Sequence, residues 1–203
     1  ETDILVGTQL LAKGLDFQNV GLVGIINADV SLNIPDFRSP ERTYQLITQV
    51  AGRAGRAGGE SRVLIQTYEP ESELIRQAAD SDYADFYETE LLHRNIMNYP
   101  PYSDIITITM VAKDEGESQV MEYAKAFRDR LRSMKNAPSD AVILPPREDA
   151  RRTDGKERAT FIIKAPSGSR GGYVNAYMKR RIEMIEEKAP CYIEIDINPY
   201  GII

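Results

Sequence analysis

Two consecutive prolines, Pro100 and Pro101, stand near the middle of the 203-residue chain, between Tyr99 and Tyr102. A proline ring blocks helix continuation and restricts the residue before it, so no helix or central strand is expected to run through this point. The length is sufficient for two domains of about 100 residues each. The sequence therefore predicts two domains, over residues 1–98 and 99–203.

The first half alternates short apolar runs with helical patterns. Three apolar runs predict strands, at residues 4–6, 20–26 and 62–67. Pro40 is suited to the first turn of a helix, which we predict from Glu41 to about Ala54, with glycines after it. Residues 71–97 are predicted to be mostly helical. Strands that alternate with helices indicate a parallel α/β layer.

The second half has a different order of elements. Strands are predicted at residues 105–112, 141–144, 159–165 and 192–197, and helices after Asp114 and over residues 173–188. Apolar residues of the first helix recur at helical spacing: Val120, Ala124, Phe127, Leu131 and Met134. Ile193, Ile195 and Ile197 alternate with polar residues, which predicts a strand with one covered face. The order β-α-β-β-α-β is the ferredoxin-like pattern, which hosts many functions.

Composition excludes several classes of protein. Cys191 is the only cysteine, so no intrachain disulfide and no thiolate zinc site is expected, and a reducing cytoplasm is the simplest location. No apolar run approaches the ~20 residues that span a bilayer, so no membrane partner is expected. The only histidine, His93, is predicted to lie on a helix surface.

Charge is unevenly distributed along the chain, although the net charge is −6. Residues 147–181 contain ten basic side chains and only four acidic ones. This excess predicts phosphate contacts, and the alternative is a solvated rim on a small domain. The candidate nucleic-acid-binding residues are Arg151, Arg152, Lys156 and Arg158.

The run from Gln49 to Arg56 carries the clearest chemical signal. At 100° per residue, Gln49 and Arg53 share one helix face, which Arg56 joins if the turn continues. The opposite face holds Leu46, Val50 and Ala54 and is predicted to pack on a sheet. Guanidinium groups hold phosphate oxygens bidentately and stay charged, which suits the terminal phosphate of a nucleotide. The alternative is a surface helix with scattered arginines.

A second motif runs from Gly7 to Phe17. A strand ending at Gly7 would place the Thr8 hydroxyl at a strand's carboxyl edge, where ligands bind open α/β sheets. Thr8 is a candidate for a nucleic-acid phosphate, Gly14 permits a close turn, and Asp16 is a candidate for a ribose hydroxyl. Alone, the motif also fits an ordinary structural turn.

Together the two motifs resemble motifs V and VI of superfamily 2 helicases. The wider pattern resembles the primosomal protein N′ family of replication-restart helicases in Asn27–Asp29, Asn33–Arg38, Glu41–Thr43, Tyr99–Tyr102 and Asp196–Pro199. The resemblance is most specific over residues 4–67. That family often has Asp at the positions of Asn27 and Asn198, where this chain has an amide in place of a carboxylate.

The resemblance implies part of an ATP-driven 3′-to-5′ DNA helicase that restarts replication at stalled forks. Residues 1–98 would be part of the RecA-like second helicase lobe with a helical linker, and residues 99–203 the ferredoxin-like C-terminal domain. Expected partners are single- and double-stranded DNA at forks, the single-stranded DNA-binding protein and other primosome proteins. Expected cofactors are ATP and Mg, bound mainly by a lobe outside this sequence, and zinc, bound upstream.

The resemblance also assigns roles to individual residues. Arg53 and Arg56 would face the γ-phosphate as catalytic groups. The residues at the nucleotide would be Gln49, Gly14 and Asp16. The residues along the DNA strand would be Thr8, Gln9 and Lys13. Arg170 would contact the single-stranded DNA-binding protein.

The phosphate-binding half of such an active site is missing from this sequence. No Gly-x-x-x-x-Gly-Lys-Ser/Thr loop occurs, and Asp114-Glu115 is better explained as a helix cap than as a magnesium-binding pair. We therefore expect no ATP hydrolysis from residues 1–203 alone. Two alternatives remain open: a binding module for DNA forks or partner proteins without chemistry, and a different superfamily 2 motor, including one that acts on RNA.

Overall fold

The computed structural model describes residues 3–8, 20–54, 61–113, 119–133, 140–149, 155–167, 178–179 and 191–200. The chain divides into two compact units, residues 1–92 and 93–203. This division falls within a helix, upstream of the proline pair, and the domain boundary at residues 98–99 stays a prediction. No described helix has both the length and the apolar character needed to cross a membrane.

The first unit is built on two parallel strands. Its elements are β1 (Leu22–Ile25), α1 (Asp29–Leu32), α2 (Ser39–Ala51), β2 (Arg62–Ile65), α3 (Glu73–Asp80) and the larger part of α4 (Tyr83–Ile96). β1 pairs with β2 in parallel, with Val23 opposite Val63. The predicted parallel α/β layer is confirmed by this pairing.

Helix α2 packs through a face that differs from the predicted one. Its buried side chains are Ser39, Thr43, Tyr44 and Ile47, whereas Leu46, Val50 and Ala54 are only half-buried. Tyr44 stacks on Phe86 of α4 with ring centroids 4.2 Å apart. The prediction of an inward Leu46–Val50–Ala54 face is therefore wrong, because the aromatic partner supplied by α4 sets the rotation of the helix.

The predicted strand at residues 4–6 is absent from the structure. Ile4, Leu5 and Val6 have no regular secondary structure and are 82%, 51% and 84% exposed. Among the described residues, no strand pairs with this segment. Apolar composition alone does not make a strand, since its backbone groups need a neighbouring strand.

The second unit is built on an antiparallel sheet. Its elements after α4 are β3 (Ser103–Val111), α5 (Val120–Ser133), β4 (Val142–Ile143), β5 (Arg147–Glu148), β6 (Arg158–Pro166) and β7 (Tyr192–Ile197). The strand order is β4-β6-β3-β7, with β5 also beside β6, and every pairing is antiparallel. Of the predicted helix at residues 173–188, only residues 178–179 are described, and they are helical.

The core of this unit lies between α5 and one face of the sheet. The predicted apolar stripe of α5 is confirmed, because Val120, Ala124, Phe127 and Leu131 are all buried; Met134 lies outside the described residues. These side chains meet Ile106, Ile108, Met110, Phe161 and Ile163 of β3 and β6. On β7 the prediction of a covered face fails at Ile195 and Ile197, which are 37% and 48% exposed, because β7 is the edge strand.

Candidate functional site

The C-terminal end of α2 presents the first group of predicted site residues. The helix ends at Ala51, and the next residues form tight turns in which Arg53 N donates to Val50 O at 3.2 Å and Ala54 N to Ala51 O at 3.0 Å. Such shorter-range bonds commonly close the last turn of a helix. Arg53 therefore lies on a turn beyond the helix and not within it as predicted.

Gln49 and Arg53 lie at the same end of α2 in different environments. Gln49 is exposed on the last full turn, whereas Arg53 is half-buried. Gly52 lies between them, and a Cβ there would come within 3.3 Å of the Thr48 carbonyl oxygen. The exposure of Gln49 agrees with the predicted polar face, whereas the half-buried Arg53 agrees with it only in part, and the roles of both residues stay predictions.

The start of α2 is held by a buried carboxylate that the sequence reasoning missed. The Asp36 side chain is only 4% exposed and accepts a hydrogen bond from Arg38 N at 2.9 Å. Its other oxygen lies 3.3 Å from Nη1 of Arg42, one turn into the helix. In the sequence, Asp36 was noted only as part of the Asn33–Arg38 resemblance, and arginines follow it two and six positions later.

A second carboxylate joins the carboxyl ends of β1 and β2. Asp29 accepts hydrogen bonds from Oγ1 of Thr67 at 2.6 Å and from the backbone N of Tyr68 at 3.0 Å. The Thr67 hydroxyl, with the Tyr68 amide, lowers the pKa of the Asp29 carboxyl below 3.8. This edge is the general ligand-binding edge of open α/β sheets. Asn27 lies beside it with φ 56°, a conformation that Asn tolerates well.

The structure does not place Thr8 where the sequence predicted it, and it does not describe the later residues of that motif. Thr8 is exposed and follows no strand, so the argument that placed it at a strand's carboxyl edge fails. The remaining candidates of both units lie outside the described residues: Gln9, Lys13, Gly14, Asp16, Arg56, Arg151, Arg152 and Arg170. Their roles stay predictions.

Two of the four predicted basic contacts of the second unit are described, and they lie at one end of the sheet. Nη1 of Arg158 is 3.7 Å from Oε2 of Glu194 on β7. Nζ of Lys156 donates to the Lys113 carbonyl oxygen at 2.8 Å and lies 5.7 Å from the centre of the Tyr192 ring. The structure thus brings Lys156 together with residues that the sequence reasoning did not select.

Asn198 occupies a position where the resemblance predicts a carboxylate. Its contacts explain why an amide fits there. Its Oδ1 accepts a hydrogen bond from Ile105 N at 2.9 Å, and its Nδ2 donates to Oδ1 of Asp104 at 3.0 Å. A carboxylate would repel Asp104 and cannot make the second bond. Asn198 therefore closes the β3–β7 ladder structurally.

Within the part of the chain that the structure describes, no group of three or more His, Cys, Asp or Glu side chains could hold a metal ion. The described residues thus contain no candidate metal centre.

Comparison with known proteins gives consistent relatives. The helicase conserved C-terminal domain family matches residues 1–58. Replication restart protein PriA of Bacillus subtilis is 39% identical over 98% of this chain and 24% of that protein. PriA of Borreliella burgdorferi is 34% identical over the whole chain and 30% of that protein, and PriA of Synechocystis is 35% identical over the whole chain and 23% of that protein.

A designed protein, Ferredog-Diesel, matches 45% of this chain and 83% of its own length at 16% identity, with a TM-score of 0.28, which is too low to support an argument. The sequence relatives are therefore the informative ones. The chain spans between about a quarter and a third of the length of those relatives. On this similarity, the chain belongs to the replication restart protein PriA family.

Proposed function

We propose that the chain is part of an ATP-dependent DNA helicase that moves 3′ to 5′ and restarts replication at stalled forks. The observation that carries this proposal is the 39% identity to replication restart protein PriA over 98% of the chain. In the complete protein, ATP and Mg would be bound mainly by a lobe outside this chain, and zinc by residues upstream of it.

The first unit would act as part of a RecA-like second helicase lobe. Its support is the parallel β1–β2 pair and the match of residues 1–58 to the helicase conserved C-terminal domain. In this role Arg53 and Arg56 would face the γ-phosphate of ATP, beside Gln49, Gly14 and Asp16. Arginine placed against a transferring phosphoryl group stabilises the charge of the transition state and accelerates such reactions by ~10³–10⁵.

The second unit would be a ferredoxin-like domain that contacts fork DNA and partner proteins. Its support is the antiparallel strand order β4-β6-β3-β7 with α5 packed on one face. The partners would be single- and double-stranded DNA, the single-stranded DNA-binding protein through Arg170, and other primosome proteins.

The decisive experiment replaces Arg56 by Ala in the complete protein and measures DNA-stimulated ATP hydrolysis. We expect ATPase activity to fall by ~10³ or more while DNA binding persists, because the substitution removes charge stabilisation at the phosphate. Arg76→Ala is the matched control, since Arg76 is an exposed arginine of the same unit whose guanidinium lies 3.7 Å from Glu71. Near-normal turnover by Arg56→Ala would show that the assignment is wrong.

The alternative is that residues 1–203 act only as a binding module. Its support is the absence of a phosphate-binding loop from this sequence. The isolated chain is expected to show no ATPase activity under either proposal, so turnover by the purified chain would contradict both. Loss of DNA-stimulated turnover in Arg56→Ala of the complete protein would favour the helicase.

A further inference from the structure

Tyr192 is an exposed aromatic side chain that two lysines approach. Its side chain, the first of β7, is 57% exposed. The ammonium groups of Lys113 and Lys156 lie 6.0 Å and 5.7 Å from the centre of its ring. Neither Tyr192 nor Lys113 is among the site residues predicted from the sequence. A ring that is open to solvent and bordered by two cations has the components of a nucleotide contact.

The sheet register explains why these three residues meet. Val111, the last residue of β3, is paired with both Arg158 of β6 and Tyr192 of β7. The β3–β6 ladder continues by one hydrogen bond, from Ala112 N to Glu157 O at 3.0 Å. The next positions on the two strands are Lys113 and Lys156, which the Lys156 Nζ to Lys113 O bond of 2.8 Å joins. The cluster is therefore fixed by the backbone of three neighbouring strands.

The charges at this end of the sheet favour an anion. A phosphate beside the ring would be within reach of both ammonium groups, each of which attracts a negative charge. Among the described residues at this end, the carboxylates are Glu194, which lies 3.7 Å from Arg158, and the half-buried Glu157. Within that described set, three cationic side chains lie near two anionic ones.

We propose that Tyr192, Lys113 and Lys156 form a contact site for single-stranded DNA, in which one base stacks on the tyrosine ring and the lysines hold the adjoining phosphates. Aromatic stacking combined with a cationic border is how proteins bind single strands without reading their sequence. The site deepens the proposed function of the second unit and rests on it only for the choice of DNA as ligand.

The test measures binding of the 203-residue chain to a fluorescein-labelled oligothymidylate of about 15 nucleotides. Tyr192→Ala is expected to weaken binding about tenfold, whereas Tyr192→Phe, which keeps the ring, binds as the unaltered chain does. Tyr200→Ala is the matched control, because Tyr200 is an 89% exposed tyrosine of the same unit. If Tyr192→Ala lowers the melting temperature of the chain, the Tyr192→Leu variant is used in its place.

Two further arms separate stacking from charge. On an abasic oligomer of the same length, Tyr192→Ala and the unaltered chain are expected to bind equally. Lys156→Ala is expected to reduce the slope of log affinity against log salt by about 0.7, the value for one phosphate contact on a single strand.

Three results would overturn the proposal: no binding by the unaltered chain at low salt, equal binding by Tyr192→Ala, and equal competition by polyglutamate, which would indicate charge alone. None of these bears on ATP hydrolysis by the complete protein. The Arg56→Ala experiment therefore remains an independent test of the helicase proposal.

Discussion

In the second unit every residue of β3 from Ile105 to Val111 is buried, whereas in the first unit β1 and β2 alternate between exposed and half-buried positions. Leu22 and Leu64 lie on the same face of the parallel pair and are 58% and 60% exposed. Ile25 and Ile65 face the other way and pack against the core formed with α2, α3 and α4. The two units thus differ in how many sides of their sheets are covered.

This difference lies in what covers the two sheets. Strand β3 is buried on both faces, under α5 on one side and at Thr107 and Thr109 on the other. Parallel strands are normally covered on both faces as well. The antiparallel sheet has its helix in α5. The second face of the parallel pair, which carries Leu22 and Leu64, is largely exposed among the described residues. We therefore expect the second unit to be the more stable of the two when the chain is studied alone.

The largest expected effect comes from the core of the second unit. Phe161 is 1% exposed, and its ring centroid lies 6.1 Å from that of Phe127. Phe161→Ala should lower the free energy of unfolding of this unit by about 3–5 kcal/mol, measured by urea denaturation with hydrogen exchange of β3 as a local reporter. Leu64→Ala, a substitution on the uncovered face of the first unit, should change stability by less than about 0.5 kcal/mol. Similar losses from both substitutions would contradict the comparison.

The same contrast explains which elements could be predicted from the sequence. The α5 stripe was predicted correctly because its burial follows from local periodicity: a single helix packs on a single sheet face. The α2 face and the strand at residues 4–6 were predicted wrongly because their burial depends on partners from distant parts of the chain. The periodicity of apolar residues along one segment gives no information about such partners.

The features of the candidate site likewise differ in whether the sequence could predict them. The exposure of Gln49 follows from helix geometry, so it was available from the sequence. The Asp36 contacts with Arg38 and Arg42, and the Asp29 bridge between strand ends, depend on loop conformation or on residues far apart in sequence. The Tyr192 cluster depends on the register of three strands, which a sequence without its sheet order does not specify.

A smaller effect is expected from a buried polar pair on the other face of the antiparallel sheet. The hydroxyls of Thr109 and Thr160 are 2.8 Å apart, and Thr160 donates to Oδ2 of the buried Asp149 at 3.3 Å. Thr160→Val should cost about 1–3 kcal/mol, because it leaves buried polar groups without their hydroxyl partner.

A double-mutant cycle checks this interpretation. The loss in Thr109→Val/Thr160→Val should be smaller than the sum of the two single losses, since the pair is removed together. Additive losses would indicate that the hydroxyls act independently and that this face is not an organised polar layer.

The pH dependence of stability tests the role of Lys164, which lies on the same face of the antiparallel sheet as Thr160. Its Nζ donates to the Met97 carbonyl oxygen at 2.8 Å and lies 3.6 Å from the centre of the Tyr99 ring, and burial lowers its pKa below 10.5. Because the unfolded chain then binds this proton more readily, stability should rise with pH from the folded pKa up to 10.5. Lys164→Met should flatten that rise in thermal unfolding curves of the second unit.

Lys125→Met is the control for the loss of one positive charge, because Lys125 is exposed on α5. If Lys125→Met flattens the alkaline profile as much as Lys164→Met does, the effect belongs to net charge and not to the buried ammonium.

The smallest expected effect lies in the first unit, at the Asp29 bridge. Hydrogen bonds from Thr67 and Tyr68 lower the pKa of the Asp29 carboxyl below 3.8, so the stability they contribute is present above pH 3.8 and is lost as pH falls through the lower, folded value. Thr67→Val removes the stronger of these bonds. Its deficit in the free energy of unfolding, relative to the unaltered chain, should become smaller in acid.

Thr48→Val is the matched control, because the Thr48 hydroxyl bonds to the Tyr44 carbonyl at 2.9 Å and not to a carboxylate. Its deficit, followed by acid titration of unfolding, should not depend on the ionisation of Asp29. A Thr67→Val deficit that stays constant through the acid range would mean that the carboxylate at this strand edge is held mainly by the Tyr68 amide, and that the two strands are not joined through the threonine.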